Sequence, residues 1–177
     1  MDDLRGNLEW VIAENGRPGS PFFRKIDTAA IAVAGHSCGG MQAIILAQNP
    51  RIKTVIIHNS GIFPVVPDNP PLLMHRERLQ GIHTPILFIV GGKSDIASKF
   101  AHDTFNGLPS VPAILISKEL GHEGTFKAAH GGEVAQIAAD WLDWKLGRSS
   151  TAQGRFQGKQ CQLCNEPSWT IERKGAR

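Results

Sequence analysis

Four short apolar runs recur along the chain, each bounded by turn-forming residues. Continuous apolar runs of this length are typical of strands that are buried on both faces of a parallel sheet. A strand that is buried on one face only would alternate between apolar and polar residues instead. The four predicted strands are Thr28–Ala34, Thr54–Ile57, Pro85–Val90 and Pro112–Ile116.

Segments with helical spacing of their apolar residues separate these runs. The last of them places Val134, Ile137 and Trp141 on one face. The predicted helices are Asp2–Glu14, Cys38–Gln48, a short stretch around Leu72–Leu79, Phe100–Phe105 and Val134–Leu146. Strands that alternate with helices predict an α/β domain with a parallel sheet of about four strands, flanked by helices. The length of 177 residues and the 41% hydrophobic content suit one ordinary globular domain.

The first run ends in Gly-His-Ser-Cys-Gly at positions 35–39, directly before a predicted helix. A serine in a Gly-x-Ser-x-Gly pattern can be held on a sharp strand-to-helix turn, with the next backbone N–H, that of Cys38, directed at a developing oxyanion. At this glycine and serine content, chance produces the pattern in roughly one sequence in ten. The alternative is a glycine-rich turn in which Ser37 only caps the helix.

An aspartate and a histidine follow later predicted strands. Asp95 comes after the third strand and a Gly-Gly pair, and His122 lies in a Gly-His-Glu-Gly loop after the fourth. Residues that follow parallel strands gather at one edge of the sheet. A serine nucleophile needs an imidazole to take its proton and a carboxylate to orient that imidazole. Asp103 is a rival to Asp95, but it lies within a predicted helix.

These residues resemble the C-terminal two-thirds of an α/β-hydrolase of the carboxylesterase and dienelactone-hydrolase-like kind. The resemblance implies Ser37 as nucleophile, Asp95 as the residue that orients the histidine, and His122 as general base and acid, in the chain order of that family. It is carried by residues 35–43, 59–63, 91–95, 121–126 and 141–146. The sequence lacks the roughly four strands that normally come first in the family. In the family this part normally supplies the second oxyanion donor. The backbone N–H of Cys38 is the one donor that the sequence identifies.

The leading hypothesis is a serine carboxylester hydrolase that acts through an acyl-serine intermediate. The connection from Gly61 to Thr84 is too short for a large lid, which favours small or exposed esters. A thioesterase or a serine peptidase on the same triad is the near alternative. The distant alternative is a catalytically weak remnant that acts as a binding or interaction module. We expect no cofactor and no metal ion.

Four further side chains are candidates for the substrate pocket, with a packing role as the alternative for each, and for His36 also a hydrogen bond beside the nucleophile. His36 lies inside the serine turn, and His58 ends the second predicted strand. Phe63 and Phe126 are candidate walls of the acyl or alcohol pocket. The thiol of Cys38 is expected to be a small buried side chain.

The charge distribution divides the chain into a predicted catalytic core, residues 1–147, and a basic C-terminal tail, residues 148–177. The tail has six basic and two acidic residues, hence +4, while the whole chain carries +3. Because isolated lysines and arginines usually cover a surface, we expect a solvated tail and no nucleic-acid partner. Cys161 and Cys164 could form a local disulfide or remain free thiols. A structural zinc site would need four ligands.

The pairing of strands in chain order leaves one edge of Thr28–Ala34 without a partner. Such an edge invites pairing with another strand, so we expect either a homodimer along it or a cover supplied by Trp169–Ile171. No apolar stretch reaches the roughly 18 residues of a membrane helix, and the acidic N-terminus is unlike a secretory signal. The chain as given is therefore expected in the cytoplasm and off the membrane; a secreted or periplasmic location stays open for a fragment.

Overall fold

A five-stranded sheet forms the centre of the fold. The computed structural model describes residues 2–63 and 76–175. Within these ranges the strands are β1 (Ile31–His36), β2 (Ile52–His58), β3 (Ile86–Val90), β4 (Ala113–Ser117) and β5 (Thr170–Lys174). They lie side by side in chain order. The first four are parallel, as predicted, and β5 is antiparallel to β4.

Helices cover both faces of the sheet. They are α1 (Asp2–Gly16), α2 (Cys38–Leu46), α3 (Ser98–Gly107), α4 (Gly132–Lys145), α5 (Ser150–Phe156) and α6 (Gln162–Asn165). Alternate residues of the central strands enter different cores: Ile57 packs with α1, α2 and α3, whereas Ile56 packs with α4 and α5. Because both faces are buried, the strands are apolar at almost every position. This explains why the apolar runs predicted them correctly.

The predicted helices are confirmed where the structure describes them, with small shifts in their ends. The start of β1 is displaced because Asp27 accepts hydrogen bonds from the backbone N–H of Ala29 and of Ala30, which holds residues 27–30 in a turn. Half of the predicted Leu72–Leu79 helix, residues 72–75, lies outside the described residues. The part within them belongs to a 3₁₀ helix, Arg76–Gly81.

The expectation of a solvated C-terminal tail is wrong for residues 148–175. Ala152, Phe156, Leu163 and Trp169 are buried, because α5, α6 and the segment after them pack on the face of the sheet that α4 covers. The division of the chain at residue 147 stays a prediction, although both parts contribute to one sheet.

Cys161 and Cys164 form a disulfide, one of the two states left open by the sequence.

The two edges of the sheet differ in what covers them. β5 covers the β4 edge, so the expectation that Trp169–Ile171 would cover the first strand is wrong. Within the described ranges β1 pairs with β2 alone. No helix in the described part of the chain has the length and apolarity that a membrane span requires.

Candidate functional site

The carboxyl ends of the four parallel strands meet at one edge of the sheet. His36 at the end of β1 is in register with His58 of β2, and His58 with Ile89 of β3. The polar residues that follow these ends are therefore neighbours in space. They are Ser37 after β1, Asn59 after β2, Asp95 after β3 and His122 after β4.

Ser37 lies on a sharp turn between β1 and α2. Its backbone has φ 51° and ψ −120°, a conformation that non-glycine residues rarely adopt. The turn is tight enough that a Cβ on Gly35 would lie 2.1 Å from the carbonyl oxygen of Gly39. The Ser37 N–H donates to the His58 carbonyl at 3.1 Å, and Ser60 Oγ donates to the Ser37 carbonyl at 2.6 Å. β2 and the residues after it thus hold the strained turn in place.

Asp95 and His122 are paired. His122 Nδ1 lies 2.7 Å from Asp95 Oδ1, and the Asp95 side chain is fully buried. Burial raises the pKa of Asp95, but hydrogen bonds from the Ala97 N–H, the Gly91 N–H, His122 and Asn59 outweigh burial and leave that pKa lowered. The carboxylate is therefore ionised at neutral pH. Because its Nδ1 is bound to Asp95, the imidazole has only Nε2 for an exchange of protons with another group.

Asn59 joins the strand ends, and sequence reasoning assigned it no role. Its Nδ2 donates to Asp95 Oδ2 at 2.8 Å and to the Gly121 carbonyl at 3.3 Å, while its Oδ1 accepts from Thr125 Oγ1 at 2.7 Å. The residue is fully buried and has a positive φ of 47°, which asparagine tolerates better than most residues. The available signal was an asparagine placed directly after a buried strand.

Three of the four candidate pocket residues gather beside His122. His36 Nε2 donates to the His122 carbonyl at 2.9 Å, and the two rings are 4.8 Å apart. The ring of Phe126 lies 5.0 Å from that of His36 and 5.2 Å from that of His58. Phe126 is exposed, so its ring is accessible beside the histidines. Phe63 packs elsewhere, 4.7 Å from the ring of Phe100 on α3.

The side chains of Ser37 and Cys38 are not arranged as a fully assembled hydrolytic site, or the sequence, would require. Among the described residues, no hydrogen bond joins Ser37 Oγ to His122 Nε2. The expectation of a buried Cys38 thiol is wrong, because the side chain of this first α2 residue points outward and is exposed. Its N–H lies in the first turn of α2, where a helix has no acceptor of its own, and so stays available to a ligand.

One described group of side chains offers ligand atoms close enough together for a metal ion. His36, His122 and Glu123 present such atoms within 4.8 Å of one another. His36 Nε2 and His122 Nδ1 already bind other groups, which leaves one nitrogen on each ring and the Glu123 carboxylate. The same His122 nitrogen would be needed for proton transfer. The expectation of a site without a metal ion therefore stays a prediction.

The fold places the chain among known proteins more clearly than its sequence does. No protein-family model matches the sequence, and no curated protein matches it. Among solved structures, it is similar to an esterase domain from a Rhodothermus marinus protein, with a TM-score of 0.55 and 13% identity. The match covers 80% of this chain and 66% of that domain. The chain has an esterase-like α/β fold. At this identity the likeness concerns the fold alone.

His58 is expected to make the protein less stable in mild acid. Burial, and then the charge of His36, lower the pKa of His58 to about 4, and no described group binds its Nδ1. Below pH 6.5 an unfolded histidine gains a proton that folded His58 lacks. The free energy of unfolding should therefore fall by about 3 kcal/mol as the pH drops from 6.5 to 4.

Urea unfolding of the wild type and of His58→Gln between pH 7.5 and 4 measures this loss. The variant should lose less stability than the wild type over that range. His83→Gln is the matched control, because His83 is exposed. Its replacement should not change how the free energy of unfolding depends on pH. Identical slopes for His58→Gln and wild type would contradict the prediction.

Proposed function

We propose that the protein is a serine carboxylester hydrolase that acts through an acyl-serine intermediate. The observation that carries the proposal is the 2.7 Å His122–Asp95 pair, located at the sheet edge where Ser37 occupies a strained strand-to-helix turn. The structural neighbour is an esterase domain, which supports the same reaction class. The substrate class is small or exposed carboxylic esters.

In the proposed reaction, Ser37 Oγ attacks the ester carbonyl carbon while His122 Nε2 takes the hydroxyl proton. The Cys38 N–H binds the oxyanion that forms. Collapse of this intermediate expels the alcohol, which receives the proton from His122, and leaves an acyl-Ser37 ester. Water then attacks that ester, with His122 again as base, and releases the acid. Throughout, ionised Asp95 holds Nδ1 and stabilises the imidazolium.

The proposed site is expected to be slow for a hydrolase. Among the described residues one oxyanion donor, the Cys38 N–H, can be assigned, and a site that works with this donor alone is expected to be slower by about 10²- to 10³-fold in kcat. A thioesterase or a serine peptidase would use the same residues, so activity on matched oxygen esters, thioesters and amides separates these variants. A binding module with an idle site is the alternative from another class. It is favoured by the missing Ser37–His122 hydrogen bond.

Labelling with a fluorophosphonate, together with hydrolysis of short p-nitrophenyl esters, tests the proposal. We expect the folded wild type to gain one label, to have it on the peptide that contains Ser37, and to turn over acetate or butyrate esters. Ser110→Ala is a matched control, since Ser110 is exposed and comes before β4, at the edge of the sheet opposite to the carboxyl ends of the parallel strands; it should label like the wild type. Folded protein with neither label nor turnover would favour the binding module.

A homodimer formed along the β1 edge is the proposed assembly. Ala34 is the exposed residue of β1, and an apolar groove of about 260 Å³ that includes Leu4, Leu8 and Ile31 adjoins the strand. Charged side chains on edge strands oppose strand pairing. Ala34→Lys should therefore shift the protein from dimer to monomer in light scattering coupled to size exclusion, whereas Ala135→Lys on the exposed face of α4 should not. A monomeric wild type at high concentration would refute the proposed dimer.

A further inference from the structure

The Cys161–Cys164 disulfide has one buried and one exposed half. Cys161 is buried and Cys164 is exposed, with two residues between them. Thiol–disulfide exchange starts when a thiolate attacks one sulfur and expels the other. Because an incoming thiolate can reach only the Cys164 sulfur, Cys161 would be the leaving group. The two cysteines therefore have different roles in any exchange reaction.

A cation lies against both sulfurs. Arg173 Nη2 is 3.1 Å from Cys161 Sγ and 2.6 Å from Cys164 Sγ. The guanidinium is held there because its Nε and Nη2 also donate to the Phe156 carbonyl, at 2.9 and 2.7 Å. A neighbouring arginine lowers the cost of forming a thiolate, and the leaving sulfur is the one that becomes a thiolate.

The surroundings of Cys161 Sγ suit both of its reduced forms. The Cys164 N–H donates to this sulfur at 3.2 Å and, with Arg173, would bind a thiolate. The Arg155 carbonyl oxygen lies 3.4 Å from the same sulfur. It would accept a hydrogen bond from the thiol once the thiolate has gained a proton. A reduced Cys161 would thus keep polar partners without a rearrangement of α5 or β5.

An open groove of about 520 Å³ leads to the exposed sulfur. Its described lining includes Gln153, Gln157, Cys164 and Arg173, of which Arg173 is the charged member. This volume lies in the range of small-molecule sites. Amide groups and one cation favour an anionic molecule of about the size of a tripeptide. A thiol in such a molecule would meet Cys164 beside Arg173.

We propose that Cys161–Cys164 is a redox-active disulfide that exchanges with small thiols carrying carboxylate groups. The thiolate attacks Cys164 Sγ, forms a mixed disulfide there, and releases Cys161 as a thiolate next to Arg173. A second thiolate then attacks the small-molecule sulfur of the mixed disulfide. This step releases the oxidised small-molecule disulfide and leaves Cys164 as a thiolate, so two protein sulfurs are reduced and two thiols are oxidised.

Mixed-disulfide formation by single-cysteine variants tests the different roles of the two sulfurs. In a Cys38→Ser background, Cys161→Ser exposes Cys164 alone, and Cys164→Ser retains only the buried Cys161. With oxidised glutathione as probe, intact-mass measurement should find an adduct on the Cys161→Ser protein, formed at least about tenfold faster than on the Cys164→Ser protein. Equal or faster reaction at Cys161 would overturn the proposed order of attack.

Reduction of the intact disulfide tests the role of Arg173. Millimolar reduced glutathione should reduce the folded Cys38→Ser protein, as counted by maleimide labelling. Arg173→Gln should slow that reduction by about tenfold, while Arg173→Lys, which keeps the charge, should slow it less. The uncharged thiol 2-mercaptoethanol should be less sensitive to Arg173→Gln than glutathione is.

Two results would refute the proposal. A disulfide that resists millimolar glutathione while the protein stays folded is purely structural, and unchanged rates in Arg173→Gln would remove the role of the cation. Circular dichroism establishes that each variant is folded. If Arg173→Gln does not fold, the two single-cysteine variants, which keep Arg173, still decide the result.

Discussion

Replacing Ser37 with alanine is expected to lower the kcat for a p-nitrophenyl ester by about 10³- to 10⁴-fold. Loss of the nucleophile from a complete serine triad costs on the order of 10⁶-fold. Among the described residues this site has one assigned oxyanion donor, and a site that works with one donor starts from a rate about 10²- to 10³-fold lower. The rate enhancement that depends on Ser37 is therefore smaller than in a complete triad, and its size sets the expected loss of kcat. Initial rates of hydrolysis, corrected with blanks that contain no enzyme, measure this loss of kcat.

A second serine close to the turn supplies the control for Ser37→Ala. Ser60 Oγ donates to the Ser37 carbonyl, so Ser60→Ala loosens the turn but leaves the proposed nucleophile in place. It should lower kcat far less than Ser37→Ala and should still accept a fluorophosphonate. Two results would contradict the assignment of Ser37 as nucleophile. One is turnover that survives in Ser37→Ala, and the other is a loss of kcat in Ser60→Ala that is as large as the loss in Ser37→Ala.

Replacing Asn59 with aspartate is expected to destabilise the fold by about 3–5 kcal/mol at neutral pH, the cost of an uncompensated buried charge. In the wild type, Asn59 Nδ2 donates to Asp95 Oδ2 at 2.8 Å; in the variant, two carboxylate oxygens would meet there. Aspartate tolerates the positive φ at this position, so backbone strain is not the cause. Like charges raise the pKa of a carboxyl pair.

The pH dependence distinguishes this repulsion from simple loss of packing. A proton shared between residue 59 and Asp95 restores a hydrogen bond, so the deficit in unfolding free energy should shrink as the pH falls from 7.5 to 5. The acid limb of the kcat/KM profile should move to higher pH, because Asp95 would ionise later. Urea unfolding and ester hydrolysis at each pH measure these two effects.

Thr125→Val is the matched control for the Asn59 variant. It removes the 2.7 Å hydrogen bond to Asn59 Oδ1 without adding a charge near Asp95. It should cost about 1 kcal/mol at every pH. If Asn59→Asp were as stable at pH 7.5 as at pH 5 relative to the wild type, Asn59 would not be the residue that positions Asp95.

The parallel part of the fold could be predicted from sequence because burial on both faces makes each strand uniformly apolar. β5 lacked that signal: Thr170, Glu172 and Arg173 are exposed, and the strand is polar because it lies at a sheet edge. Its membership of the sheet depends on backbone pairing with β4. Backbone hydrogen bonds leave little trace in side-chain type, so the sequence pattern of this segment predicts a tail and not a strand.

The candidate site could be predicted in part for a related reason. Asp95 and His122 follow strands that are easily recognised, and the convergence of parallel strand ends brings them together. Asn59 also follows such a strand, but its contribution is a set of hydrogen bonds to the two connections that follow β3 and β4. A single sequence does not encode which amide will face which carboxylate. The packing of Phe63 on Phe100, away from the histidines, likewise depends on a contact between distant segments.

The late position of β5 has a consequence for folding on the ribosome. Thr170 reaches its partner Ser117 across 53 residues. At about 5–20 residues per second, synthesis of that span takes roughly 3 to 10 seconds. During that interval β4 is complete but its outer edge has no strand beside it, and an apolar strand in that state is prone to pair with other chains. A nascent chain that pauses between α4 and β5 would thus be at its most vulnerable to aggregation.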